Sequence, residues 1–319
     1  MTDTDPTSVA APAMTTGSVG TALPGPTASE AEAFTRVNGR LTIADYVPVD
    51  VHDGTPAASK CEWTAHVAAD LSQNEVAALA WLLIDTIMQA RCGVAVSVYQ
   101  TWRQHTLAGT TITPQTKRDV VAGFVEPVFG LPENGPKSTD HLEGHVGEWL
   151  WHLLTKDRPA VRLQPDPKGD VTDSGGDSYS VYETAADELR FRLWESKKNT
   201  ATTKTVSTSL IEAYNQLARD GQRYVAKIVG TFSAPTNDAA DELRTFIANL
   251  PEAWAQGDEI VGAGVTLATH QQLPAKPFAK MPDKLPLLRR PGQLRGLATS
   301  IASFAEVADT VRRYAWTAL

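Results

Sequence analysis

Apolar positions recur along this chain in two rhythms, one near every third or fourth residue and one at every second. Ser72 with Glu75 three residues on has the form of a capping box, and the run from Gln73 to Cys92 that follows stops at Gly93. Leu79, Leu82, Leu83, Ile84, Ile87 and Met88 nearly encircle that run, which predicts a buried helix. Val94 to Tyr99 reads equally as a short strand or a continuation, and Lys117 to Val128 as a helix broken at Pro127. Asp140 as N-cap with Glu143 at N3 opens a helix to about Thr155, striped by Leu142, Val146, Trp149 and Leu153.

The second rhythm takes over downstream. Ala160 to Leu163 and Ser178 to Tyr182 read as strands separated by a polar loop from Gln164 to Gly176. After a turn at Thr184 to Asp187, Leu189, Phe191 and Leu193 alternate with Arg190, Arg192 and Trp194, as in a strand with one face on a core. Ser207 to about Val229 reads as a long helix with Leu210, Tyr214 and Leu217 on one face. A helix from Asn237 to Leu250 stopped by Pro251 follows, then a strand over Ile260 to Ala268, a Pro-rich loop, and a terminal helix carrying Ile301, Phe304, Val307 and Val311. This order predicts an α/β fold, a mixed sheet flanked by helices with a helical N-terminal extension. Residues 1–39, rich in Thr, Ser, Ala, Pro and Gly, have too few large apolar groups to offset ordering and are expected to be a disordered tail. The helical N-terminal region is expected over residues 40–135 and the core over 136–319.

Composition narrows the function classes. With 42% hydrophobic residues the chain suits a globular protein, and a net charge of -8 excludes nucleic-acid binding by overall basicity while leaving a local basic patch open. Cys61 and Cys92 have no Cys or His at zinc-site spacing and are expected to be reduced thiols. No apolar run is long enough to span a bilayer, and the N-terminus lacks a basic stretch followed by an apolar one, so a cytoplasmic protein without membrane contact is expected.

Chemistry enters at Glu195 and Lys197, two residues apart and therefore on one face of an extended strand. Trp194 and Leu193 just before them argue against a fully exposed strand. Asp177, after Gly175 and Gly176, enters the preceding strand; with a hairpin at Thr184 to Asp187, it lies at a strand end beside Glu195. Two carboxylates there, with a backbone carbonyl such as that of Ser196, suit Mg²⁺, with Mn²⁺ as a substitute. Lys197 then holds the attacking water or offsets charge on the transition state. The chemistry expected is metal-assisted phosphodiester hydrolysis.

With Glu148 on the preceding helix, Gly-Gly-Asp at 175–177 and Glu195-Ser196-Lys197, the segment from about Asp140 to Val229 resembles the PD-(D/E)xK, or restriction-endonuclease-like, nuclease superfamily. The resemblance implies a restriction-endonuclease-like core and DNA as substrate. It also implies an active site of Glu148, Asp177, Glu195 and Lys197, with metal held by Glu148, Asp177 and Glu195. The literal Pro-Asp dipeptide is Pro165-Asp166, so Asp166 and Asp170 stand as alternatives to Asp177. The arrangement is also similar to the nuclease subunit of Hachiman-type anti-phage defence systems. That likeness implies a separate helicase or ATPase partner, since no ATP-binding Gly-rich loop occurs in the chain. The competing expectation is a degenerate nuclease fold that binds DNA or a partner without cutting.

Two further patterns lie near these residues. His141, His145, Glu148 and His152 form a stripe on one helix, in neither the His-Glu-x-x-His nor the His-x-x-Glu-His order, and are expected to flank the site. Lys276, Lys280, Lys284, Arg289, Arg290 and Arg295 concentrate in the Pro-rich loop, and Lys198 and Lys204 follow the Glu-Ser-Lys triplet. Of these, Lys198, Lys204, Arg289 and Arg290 are the expected contacts to a nucleic-acid backbone.

Overall fold

A computed structural model describes residues 25–53, 61–136, 138–156, 160–167, 178–201, 203–232 and 240–319. In chain order the elements are α1 (Ala28–Val37), β1 (Val49–Asp53), β2 (Glu62–Ala68), α2 (Gln73–Cys92), α3 (Val96–Ala108) and α4 (Gln115–Phe129). A two-residue pair, β3 (Gly130–Leu131) and β4 (Gly135–Pro136), leads to α5 (Thr139–Thr155), β5 (Val161–Leu163), β6 (Ser178–Glu183) and β7 (Leu189–Asn199). Then come α6 (Val206–Thr231), α7 (Ala240–Ala248), α8 (Leu250–Gln256), β8 (Val261–Thr269), α9 (Met281–Lys284), β9 (Leu294–Ile301) and α10 (Phe304–Thr317).

The protein is a mixed α/β structure. Seven described strands form one sheet in the order β1-β2-β9-β8-β7-β6-β5. Its centre, β2, β9, β8 and β7, is parallel, and β1, β6 and β5 pair antiparallel at the margins. Alternation along β7 sends Phe191 and Leu193 into a core with Leu210, Tyr214 and Leu217 of α6. The other face is covered by α2, α5 and α10, where Leu79, Trp149, Phe304 and Val311 share a second core. On that face Trp151 of α5 stacks on Trp194 of β7 at 5.3 Å between ring centroids.

The N-terminal segments depart from expectation. Residues 28–37, assigned to a disordered tail, form α1, capped by a Thr27–Glu30 capping box and seated by buried Ala28 and Ala31. Small residues suffice there because they let α1 approach α2 closely. Residues 1–24 lie outside the described residues. The region expected to be helical, 40–135, also contributes β1 and β2 to the sheet. Val96 to Tyr99 is the start of α3, and α4 continues through Pro127 because Val125, Val128 and Phe129 are buried around it.

Later boundaries shift for local reasons. Asp140 lies inside α5, which begins at Thr139, and its carboxylate binds Lys198 instead of capping the helix. Pro251 does not stop a helix; it sits in the first turn of α8, where its missing N–H is not needed. The Pro-rich loop holds α9 and leads into β9, which fills the sheet between β2 and β8. Ile301 ends that strand and does not belong to the terminal helix. The turn at Thr184 to Asp187 does join β6 and β7 as an antiparallel hairpin, with Asp187 at φ 58°.

Candidate functional site

The ladder between β6 and β7 ends at Ser178 opposite Trp194, whereas the ladder between β7 and β8 runs on to Asn199 opposite Thr269. Among the described residues, β7 from Glu195 to Asn199 is therefore flanked by β8 alone. This stretch lies at the carboxyl end of the parallel strands, where open α/β sheets commonly bind ligands.

Glu195 is completely buried there. Lys197, next on the same face, places its Nζ against Glu195 Oε1 and donates a second hydrogen bond to Gln216 Oε1 at 3.0 Å. Gln216 Nε2 in turn donates to the Tyr224 hydroxyl at 3.1 Å. A buried carboxylate is costly to ionise unless a cation compensates it, and Lys197 supplies that cation while α6 fixes its position. No motif in the sequence marks Gln216 or Tyr224. The only signal for them is that they lie eight residues apart on the helix following the triplet.

Glu148 stands half-buried on α5. Its neighbour Gly147 meets the sheet so closely that an added Cβ would lie 3.0 Å from that of Ala268. Glu148 thus stands on the helix that covers the Trp194 face of β7, whereas strand alternation turns Glu195, with Phe191 and Leu193, to the α6 face. Asp170 and Asp177 lie outside the described residues. Asp166 is 3.1 Å from His152 Nε2 and 3.5 Å from Lys156 Nζ, and the hydrogen bond from His152 is the main cause of its lowered pKa. Among the described residues no group of three or more His, Cys, Asp or Glu is placed to hold a metal ion.

The histidine stripe is split among three environments. His141 is exposed. His145 is buried and accepts a hydrogen bond from Trp149 Nε1 at 3.1 Å, and burial pulls its pKa down to about 3. His152 is buried beside Asp166 and Gln164. Burial also raises both thiols, Cys61 to about 12 and Cys92 to about 11, so neither is a thiolate near neutral pH.

The expected phosphate contacts are largely engaged elsewhere. Lys198 Nζ binds Asp140 at 2.6 Å and Glu143 at 3.0 Å, Lys204 pairs with Glu212, and Arg290 lies 3.6 Å from Glu259. Arg289 donates to the Pro286 carbonyl, and Arg295 pairs with Glu62. Lys276, Lys280 and Lys284 are exposed and form no ion pair with a described residue. Buried Phe278, Met281 and Leu285 anchor their segment to the sheet and turn the lysines outward.

No protein-family model matches the chain, and no curated protein matches it at a significant level. Among the described residues no helix is long and apolar enough to cross a membrane.

Proposed function

We propose that this protein is a Mg²⁺-dependent nuclease that hydrolyses phosphodiester bonds of DNA at the end of β7, on a restriction-endonuclease-like core. The observation that carries this reading is the buried Glu195 carboxylate held against the Lys197 ammonium, which Gln216 fixes from α6. A solvated surface pair would have neither the burial nor the second anchor.

The donor set is compatible with Mg²⁺, which takes one or two carboxylates and keeps several waters. Glu195 is one such donor, with Glu148 and Asp177 as the further candidates. When bound, the ion would supply positive charge to a phosphate oxygen. Lys197 has the other part: its ammonium orients the attacking water and offsets charge as the phosphorus–oxygen bond to the leaving group lengthens. Gln216 limits the ammonium to one position, which lowers the cost of reaching that geometry.

Lys276, Lys280 and Lys284 supply cations free to track a DNA backbone, in place of Lys198, Lys204 and Arg290, whose charges are already compensated. A defence role alongside a separate helicase or ATPase is part of the same reading, carried by the sequence resemblance alone. The test is incubation of the full chain with supercoiled and linear DNA in Mg²⁺, Mn²⁺ or EDTA, beside Glu195→Ala. Metal-dependent cleavage lost in the variant is expected. Cleavage that survives Glu195→Ala would overturn the assignment, and metal-independent binding without cleavage would favour a non-catalytic DNA-binding subunit.

A further inference from the structure

Asn199 ends β7 two residues beyond Lys197, so strand alternation places it on the same face as Glu195 and Lys197. It is only 2% exposed, and neither its Oδ1 nor its Nδ2 has a hydrogen-bond partner. Ser209 on α6 is fully buried, and its Oγ is likewise without a partner. Folded proteins rarely leave such groups unsatisfied, because each gives up its water without a replacement. A side-chain amide lacking partners at both of its polar atoms points to a third party.

The two residues lie at the same end of the site. Asn199 is about 7 Å further along the strand than Lys197. Ser209 is about 10 Å from Gln216 toward the start of α6, which follows β7 through residues 200–205 and turns back along the same face. The strand and helix therefore carry their orphaned groups in one direction from the contact between Lys197 and Gln216. Buried polar groups of this kind suit a solvent molecule, which needs several polar partners to stay ordered.

We propose that Asn199 and Ser209 are positioning residues that hold an ordered water beside the Lys197 ammonium and thereby orient the solvent side of the reaction centre. The amide offers N–H donors on one atom and an acceptor on the other, and the hydroxyl can act as either, so together they fix both the place and the orientation of that water. The kinetic consequence rests on the nuclease reading; the water seat itself does not.

Asn199→Leu keeps the shape of the side chain and removes its polarity, and Ser209→Ala removes the hydroxyl. Both variants remove a partner of that water, so each is expected to stay folded and to melt at or slightly below the wild-type temperature. The single-turnover rate of metal-dependent DNA cleavage is expected to fall about tenfold with KM unchanged, and Asn199→Ser to recover most of it. Wild-type rates in both Asn199→Leu and Ser209→Ala would overturn the proposal, as would rate losses that only track a loss of folded protein. Independently of activity, a high-resolution crystal structure should show an ordered water within hydrogen-bond reach of the Asn199 amide. A direct protein partner for that amide would refute the seat. Should Glu195→Ala leave cleavage intact, the nuclease reading fails, while the crystallographic result still decides the seat.

Discussion

Lys197 Nζ lies 3.0 Å from Gln216 Oε1, a contact between the end of β7 and the middle of α6 that also holds the ammonium against the buried Glu195 carboxylate. The lysine therefore has one anchor that compensates a charge and one that fixes a direction. Removing each anchor should have a different effect.

Lys197→Met leaves Glu195 buried without its cation and is expected to destabilise the fold by about 3 kcal/mol, whereas Glu195→Gln, which removes the charge that needs compensation, should cost about 1 kcal/mol. Urea unfolding of the two variants measures the difference. Equal costs would mean that Lys197 does not carry the compensation.

Gln216→Leu keeps a side chain of similar length but cannot accept the hydrogen bond from Lys197. Stability should change by less than about 1 kcal/mol, while DNA cleavage slows about tenfold because the ammonium samples more positions. Paired thermal melts and single-turnover rates test this, and an unchanged rate would leave Gln216 a purely structural neighbour.

Acid stability should report on His145. Its folded pKa of about 3 lies below its ordinary value of 6.5, so between those values the unfolded chain binds the extra proton. The contribution is fully present above about pH 6.5 and is lost as pH falls toward 3, at about 1.4 kcal/mol per unit. Unfolding free energies at pH 7, 6 and 5 should show a shallower decline in His145→Gln than in the wild type, and parallel declines would contradict the assignment.

Gly264 carries the Trp194 ring: an added Cβ would lie 2.1 Å from a ring carbon. Gly264→Ala should therefore push Trp194 off its stack with Trp151 and cost about 3 kcal/mol. Chemical denaturation with tryptophan fluorescence gives both readouts, a lower midpoint and an altered native spectrum. A native midpoint would show that the ring has room to move.

For DNA binding in EDTA, replacing Lys276, Lys280 and Lys284 together by Gln should make the dependence of log K on log salt shallower by about 2 to 3 for duplex DNA. Replacing Lys198, whose charge is already matched by Asp140 and Glu143, should change that slope little. The reverse pattern would return the DNA path to the residues after the triplet.

Strong local signals survived folding. The Ser72–Glu75 capping box starts α2, and the alternation around Phe191 and Leu193 belongs to a strand with one face on the α6 core. Weak ones did not: β9, with Gly296 lying under the Phe278 ring, has too few large side chains to stand out beside a Pro-rich segment. Its neighbours in the sheet define it. At the candidate site the sequence brings Glu195 and Lys197 to one face through strand period alone, but Gln216 and Asn199 acquire meaning only once α6 turns back along β7.

The sequence by itself determined the α/β class, the hairpin between β6 and β7 and the pairing of a carboxylate with an ammonium, because each depends on periodicity and spacing within a few residues. Tertiary structure decided which of the described lysines of the Pro-rich segment form no ion pair, which helices cover each face of β7, and that β1 and β2 join the same sheet as β9. Those properties depend on contacts between residues far apart in the chain, where a buried charge or an open strand margin is set by what packs beside it.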